Sequence, residues 1–159
     1  MRILIVSDTH GHNGNFQTVY DKVKPVDMVW HLGDLEGTEY ELEEMVDCPF
    51  YAVAGNNDFF TELPRERELE VGKYRVFLCH GHYYRVSMTS RLLADEAKAR
   101  GCNIAVYGHT HRPLIERGRG IDVINPGSLS YPRQDGRRPS YIMMDIDREG
   151  EAHYTICYL

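Results

Sequence analysis

Gly108-His109-Thr110-His111 sets two imidazoles one residue apart, and imidazole nitrogen is the commonest protein ligand for first-row transition metals. Alone, such a pair is more often a surface or substrate contact than a metal site. Four more polar clusters precede it: Ser7-Asp8-Thr9-His10-Gly11-His12, Gly33-Asp34, Gly55-Asn56-Asn57-Asp58 and His80-Gly81-His82. Taken singly, Asp8 and Asp34 read as turn or cap carboxylates, and Asn56 as a left-handed turn residue beside Gly55. Together, Asp8, His10, Asp34, Asn56, His80, His109 and His111 offer four nitrogen and three oxygen ligands with no thiolate. That set suits Mn²⁺, Fe²⁺, Ni²⁺, Co²⁺ or Zn²⁺ in an open site better than a structural zinc cage. Seven ligands exceed what one tetrahedral ion needs. Two ions sharing a carboxylate is the economical reading, and such pairs lie roughly 3.5–4 Å apart in enzymes that displace groups at phosphorus.

Each cluster follows a segment that reads as a strand. Arg2-Ile3-Leu4-Ile5-Val6 is continuously apolar, as in a central strand covered on both faces. Phe16, Val19, Tyr20 and Val23 share one helical face, with Asn13 or Asn15 available as a cap. Residues 26 to 32 form a second strand ending at Gly33-Asp34, and 50 to 54 a third ending at Gly55. Between them, Thr38 and Glu41 fit a capping box. The acidic helix it begins buries Leu42, Met45 and Val46 and leaves Glu36 with its other acids on a solvated face. Residues 69–71 and 74–79 flank the turn Gly72-Lys73, which predicts an antiparallel hairpin whose second strand delivers His80. Ser90 caps a helix carrying Leu93, Ala94 and Ala97, closed by Gly101. A strand over 103–107 then leads to His109. Beyond the two histidines only strands are predicted, over 121–125, 141–146 and 152–158, with Asn125-Pro126-Gly127-Ser128 as a turn. Side chains beyond the carboxyl ends of neighbouring α/β strands converge on one crevice, so five clusters can build one site. His31, inside a strand, reads as a satisfied structural histidine or a partner behind a ligand, and Cys79 points away from His80 into the core.

Composition bounds the rest. With 159 residues, 42% hydrophobic and 26% charged, the chain reads as a single globular domain over 1–159. Eighteen basic against 24 acidic side chains give −6, which disfavours a nucleic-acid partner. Six arginines between Arg112 and Arg138 face only Glu116, Asp122 and Asp135, a local excess of +3 that fits a solvated face or a substrate-steering patch equally well. Cys48, Cys79, Cys102 and Cys157 are scattered and lie in or beside apolar runs, as reduced core residues of a cytoplasmic protein would. No signal peptide or membrane span is expected.

The ordered set Asp8-x-His10, Gly33-Asp34, Gly55-Asn56, His80 and Gly108-His109-x-His111 resembles the calcineurin-like metallophosphoesterases, over about two-thirds of the chain. The short length is similar to the small YfcE-like branch. The resemblance implies an α/β fold, a four-layer αββα sandwich of two mixed β-sheets flanked by helices. It implies one ion on Asp8, His10, Asp34 and His111, and a second on Asn56, His80, His109 and the same Asp34. Two divalent ions per chain follow, with Mn²⁺ favoured and Ni²⁺, Fe²⁺, Co²⁺ or Zn²⁺ compatible. The implied reaction is hydrolysis of a small or nucleotide-like phosphodiester by in-line attack of a metal-bridging hydroxide, with Asp34, Asn56 and His109 as the catalytic residues. The sequence departs from the family pattern at Asn57, where many members have a histidine that protonates the leaving oxygen; an amide does not titrate near pH 7. His12 and His82 are candidate substitutes, and these two with Asn57 and Asn125 are the candidate substrate-contacting or ligand-orienting residues. The competing reading is a weakly active or non-catalytic protein-interaction scaffold, as in the related retromer subunit. The expected partner is a small phosphodiester, with a homo-oligomer left open.

Overall fold

The apolar amino-terminal run becomes β1 (Arg2–Val6), the middle strand of a five-stranded mixed sheet. On one side it pairs in parallel with β2 (Met28–His31), which pairs in parallel with β3 (Phe50–Ala52). On the other side it pairs antiparallel with β9 (Ser140–Ile146), and β10 (Ala152–Tyr158) closes that edge. The computed structural model describes residues 1–118 and 120–159; Arg119, one of the six arginines counted above, lies outside the described residues.

The second sheet holds β4 (Glu66–Val71), β5 (Tyr74–Cys79), β6 (Ile104–Val106), β8 (Asp122–Pro126) and β7 (Pro113–Glu116), in that order. β4 and β5 form the predicted hairpin, Val71 opposite Tyr74, while β5, β6 and β8 run parallel. Helices α1 (Gly14–Val23) and α2 (Glu39–Glu44) lie against the first sheet, and α3 (Arg91–Ala99) against the second.

Period-two alternation explains how each strand serves two cores. Ile3 and Ile5 of β1 join Trp30, Leu78, Val106 and Ile124 between the sheets. Leu4 and Val6 face the other way, onto Phe16, Val19 and Tyr20 of α1 and Leu42 of α2. In the second sheet Phe77, Cys79 and Ala105 meet Leu93 and Ala97 of α3. The result is helix, sheet, sheet, helix, two mixed sheets flanked by helices as the family resemblance implies. Among the described residues no helix is long and apolar enough to cross a membrane.

Several local expectations are corrected. β7 was not expected, because a four-residue edge strand opening on a proline shows neither alternation nor a long apolar run. Thr38 makes no capping bond; its hydroxyl donates to the Leu35 carbonyl at 2.8 Å, so the capping box is absent. Ser90 likewise spends its hydroxyl on Glu116 rather than on its helix. Cys79 and Cys102 are buried as expected, but Cys48 and Cys157 are half-buried on outer strands and loops.

His31 is the buried histidine the strand position predicts. Its Nδ1 accepts the Gly33 N–H at 3.2 Å, so the ring proton sits on Nε2 and is given to the Thr9 hydroxyl at 3.1 Å. Burial pushes its pKa down to about 4, with Asp58 and Asp8 opposing and His80 adding to the fall. The unfolded ring, near 6.5, takes up a proton first as pH falls, so this group's contribution to stability is complete above about pH 6.5 and declines toward pH 4. Between pH 8 and pH 5, urea denaturation should show the wild type losing about 2 kcal/mol more than His31→Gln. Parallel profiles for the two proteins would contradict this assignment.

Candidate metal centre

All five polar clusters reach one end of the two sheets, and their loops are tied to one another directly. Asp8 N–H donates to the Gly33 carbonyl at 3.1 Å and His10 N–H to the Asp34 carbonyl at 2.9 Å. Gly108 N–H donates to the His80 carbonyl, and His109 N–H to Asp8 Oδ2, each at 3.1 Å. Such close approach leaves no room for side chains: a Cβ on Gly55 would lie 2.1 Å from Asp34 Oδ1, and one on Gly108 2.0 Å from Ser7 Oγ. The ligand candidates themselves are bent into the left-handed region, with φ of +55° at Asp8, +48° at His10, +58° at Asp34, +66° at His109 and +57° at His111. That backbone costs a non-glycine residue on the order of 1 kcal/mol, and such strain concentrates at functional sites.

Asp8, His10, Asp34 and His111 present ligand atoms within 4.8 Å of one another. His10 gives its Nδ1 proton to Glu36 Oε1 at 2.7 Å, and His111 gives its own to the Tyr131 carbonyl at 2.6 Å. In a neutral ring each Nε2 is then a lone pair, and the two lie 3.3 Å apart. Asp8 Oδ1 sits 3.0 Å from His111 Nε2, fully buried, yet without a properly oriented hydrogen-bond donor. With both rings neutral, the four groups converge as acceptors and repel one another unless positive charge lies between. The titration tendencies agree: burial works against the charge of both Asp8 and His111, but their mutual attraction outweighs it, lowering the pKa of Asp8 and raising that of His111. The residues fit a divalent cation.

The remaining candidates gather beside this group. His80 donates its Nδ1 proton to the Leu32 carbonyl at 2.6 Å, turning its Nε2 lone pair toward Asn56 Oδ1 at 3.0 Å. His109 Nδ1 reaches the same Asn56 oxygen at 2.9 Å. Burial, with His80 adding, lowers the His109 pKa and favours the neutral ring that can ligate. Asp34 Oδ2 stands between the two groups, 3.7 Å from His10 Nε2 and 3.5 Å from His80 Nε2.

Two supporting residues were not singled out in the sequence. The Asp58 carboxylate accepts four backbone N–H groups: those of Asp34 and Gly55 at 2.7 Å on Oδ2, and those of Leu35 and Glu36 at 2.8 and 2.7 Å on Oδ1. It staples the Asp34 loop to the Asn56 loop, a role no spacing rule marks. Glu36, assigned to a solvated face, is exposed as expected, but it lies before α2 and also orients His10, as carboxylates behind metal-binding histidines commonly do.

Of the other candidates, Asn57 spans both oxygens of Asp34, its backbone N–H on Oδ1 at 2.9 Å and its amide on Oδ2 at 2.8 Å. Asn125 lies within β8, as the strand expected over 121–125 places it; it is fully buried, its amide donating to the Gly108 carbonyl at 2.7 Å and the Thr110 hydroxyl at 3.1 Å. It shapes the His109–His111 loop from behind. His82 begins a 3₁₀ turn, its ring 5.4 Å from His80 and 6.1 Å from His109. His12 is exposed and bonds the Tyr131 hydroxyl at 2.9 Å, apart from the ligand groups.

Comparison with known proteins gives the family. Residues 1–149 match the model of the calcineurin-like phosphoesterase superfamily domain. A probable metallophosphoesterase of Mycoplasma pneumoniae is 34% identical over 150 residues, covering 92% of this chain and 91% of the relative. The phosphodiesterase YfcE of Escherichia coli is 39% identical over 75 residues, covering 47% of this chain and 36% of the relative. The crystal structure of a conserved Streptococcus pneumoniae protein, described as a predicted phosphoesterase, superposes with a TM-score of 0.81 at 29% identity, covering 99% of this chain and 97% of that one. Vps29 of Entamoeba histolytica shares the fold, with a TM-score of 0.81 at 21% identity over 100% of this chain and 99% of its own. The chain therefore belongs to the calcineurin-like phosphoesterase superfamily.

Proposed function

We propose that this chain is a phosphodiesterase with a dinuclear metal centre, acting as one domain on a small or nucleotide-like phosphodiester. The observation that carries the reading is Asp34 Oδ2 between His10 Nε2 and His80 Nε2, at 3.7 and 3.5 Å, where one carboxylate can serve two ions. Asp8, His10, Asp34 and His111 would hold one, and Asn56, His80, His109 and the shared Asp34 the other, with Mn²⁺ favoured by a nitrogen and oxygen set without thiolate. When bound, two divalent ions supply a water acidic enough to lose a proton near neutral pH and the charge that offsets phosphate oxygens. Relatives named phosphodiesterases, YfcE and one from Methanocaldococcus jannaschii that is 28% identical over 144 residues, support this substrate class. Four unpaired cysteines fit a reducing, cytoplasmic setting.

The chain's own residues orient the groups. Asn57 holds both oxygens of Asp34 and so fixes the plane of the shared carboxylate, a task its amide performs while offering no titrating proton to a leaving group. Aryl diesters, which leave as stable phenolates, are therefore the substrates on which activity is most readily seen. Glu36, Tyr131 and Leu32 hold the Nδ1 protons of His10, His111 and His80, keeping each Nε2 available as a ligand. Asp58 sets the spacing of the two loops that carry Asp34 and Asn56.

Two outcomes follow. Mn²⁺ should stimulate hydrolysis of bis(p-nitrophenyl) phosphate, and Asp34→Ala should abolish turnover and most metal binding together; a variant that keeps both would reject the Asp34-centred metal site, and silence of the wild type across several metals would favour a scaffold. Asp58→Asn replaces an acceptor-only carboxylate with an amide that can satisfy fewer of the four N–H groups, so Mn²⁺ affinity should fall by about 10- to 100-fold in titration calorimetry while circular dichroism stays native. Unchanged affinity would show that Asp58 does not position the centre.

A further inference from the structure

The metal centre has unlike surroundings at its two ends. Beside Asn56 and His82 lies a depression of 510 Å³ whose walls include Phe59, Phe60, Tyr83 and Arg65. Phe59 and Tyr83 are 74% and 61% exposed, and Phe60 is fully exposed. Phe60 also has a φ of +59°, a conformation bulky side chains rarely adopt, so the loop after Asp58 is bent to hold an aromatic ring in water. The Arg65 guanidinium lies over the Tyr83 ring, 5.3 Å from its centre, making a mixed aromatic and cationic shelf. Beside His10 and His111, at the opposite end, a second depression of 590 Å³ is lined by Arg112, Arg133 and Arg137. Elsewhere in the arginine-rich stretch, Arg117 is bound to Asp122, and Arg138 to the Leu159 carbonyl. Arg112 gives its Nε proton to the Arg133 carbonyl at 3.3 Å, and among the described residues Arg112, Arg133 and Arg137 have no carboxylate partner, which leaves most of this cationic surface available to a ligand in an otherwise acidic protein.

We propose that the site takes a phosphodiester with two different ends: a heteroaromatic base stacked on the Phe59, Phe60 and Tyr83 shelf, and a second phosphate in the Arg112, Arg133 and Arg137 depression. A 5′-phosphorylated dinucleotide has this chemistry, with the diester over Asp34 between the two. The inference rests on the phosphodiesterase reading for the place of the diester. The two flanks are independent observations, one apolar and one cationic, and each shares residues with a different half of the ligand set. Because the aromatic depression includes Asn56 and His82, a ligand there continues from the centre rather than occupying a remote surface. Stacking on an aromatic side chain tolerates any base, whereas the arginines discriminate the terminal phosphate by charge and paired hydrogen bonds.

The test is calorimetric titration of the Mn²⁺-loaded protein with a phosphorothioate-linked dinucleotide, with and without a 5′-phosphate. It compares wild type, the Arg133→Gln/Arg137→Gln variant and the Phe59→Ser/Phe60→Ser variant. In the wild type the terminal phosphate should tighten binding about tenfold. The arginine variant should lose that preference while keeping its affinity for the unphosphorylated ligand, a pattern that misfolding cannot produce. The phenylalanine variant should bind both ligands about tenfold more weakly with the preference intact. Equal preference in all three proteins overturns the proposal, as does a wild-type dimer in sedimentation that the phenylalanine variant dissociates, which would assign the shelf to a second copy of the chain. Hydrolysis of bis(p-nitrophenyl) phosphate separates the two levels. Activity without the binding pattern rejects only this inference, and the binding pattern without activity rejects only the phosphodiesterase reading.

Discussion

Repulsion among converging lone pairs is the constraint around which this structure is organised. His10 and His111 point unprotonated nitrogens at each other over 3.3 Å, a buried Asp8 oxygen lacks an oriented donor, and Asp34 faces the same space. A folded chain ordinarily avoids such an arrangement, since buried acceptors without donors are costly. Here each imidazole has its other nitrogen tied to a carboxylate or carbonyl, so the lone pairs are aimed inward by hydrogen bonds on the outside.

The fold around the centre makes that concentration of acceptors tolerable. Two sheets share an apolar interior and are covered outside by helices, which leaves their common end as the place where strands release their loops. The loops are strained at Asp8, His10, Asp34, His109 and His111, and they are held by groups that bind backbone rather than ligand. Asp58 collects four N–H groups, and Asn125 fixes the Gly108 carbonyl. Glycine at 55 and 108 is needed because the neighbouring loop fills the space a side chain would take. Stability gained in the layers thus offsets strain confined to one rim.

The layers, and the candidate residues that gather at one rim, were legible in the sequence because both rest on local signals. Apolar runs over 2–6 and 74–79, and the Phe16, Val19, Tyr20 and Val23 stripe, follow strand and helix periods that any burial must obey. His and Asp residues after strands announce themselves by type. What was illegible depends on contacts distant in sequence. Asp58 looks like an ordinary turn acid until the Asp34 loop, 24 residues earlier, is laid against it. Glu36 resembles its solvated neighbours until His10 reaches it, and β7 exists only because β8 offers it an edge. The division of the five described arginines into those bound elsewhere and those lining the site likewise needed the fold.

Asp34 is where these strands of argument meet, since the proposal of two ions requires its single oxygen to face both histidine groups. Anomalous diffraction at the manganese edge from crystals grown with Mn²⁺ tests this most directly. Two peaks are expected roughly 3.5–4 Å apart on either side of the Asp34 carboxylate, one among Asp8, His10 and His111 and the other among Asn56, His80 and His109. No peak at Asp34, or a single ion with the Asn56, His80 and His109 group left empty, would contradict it.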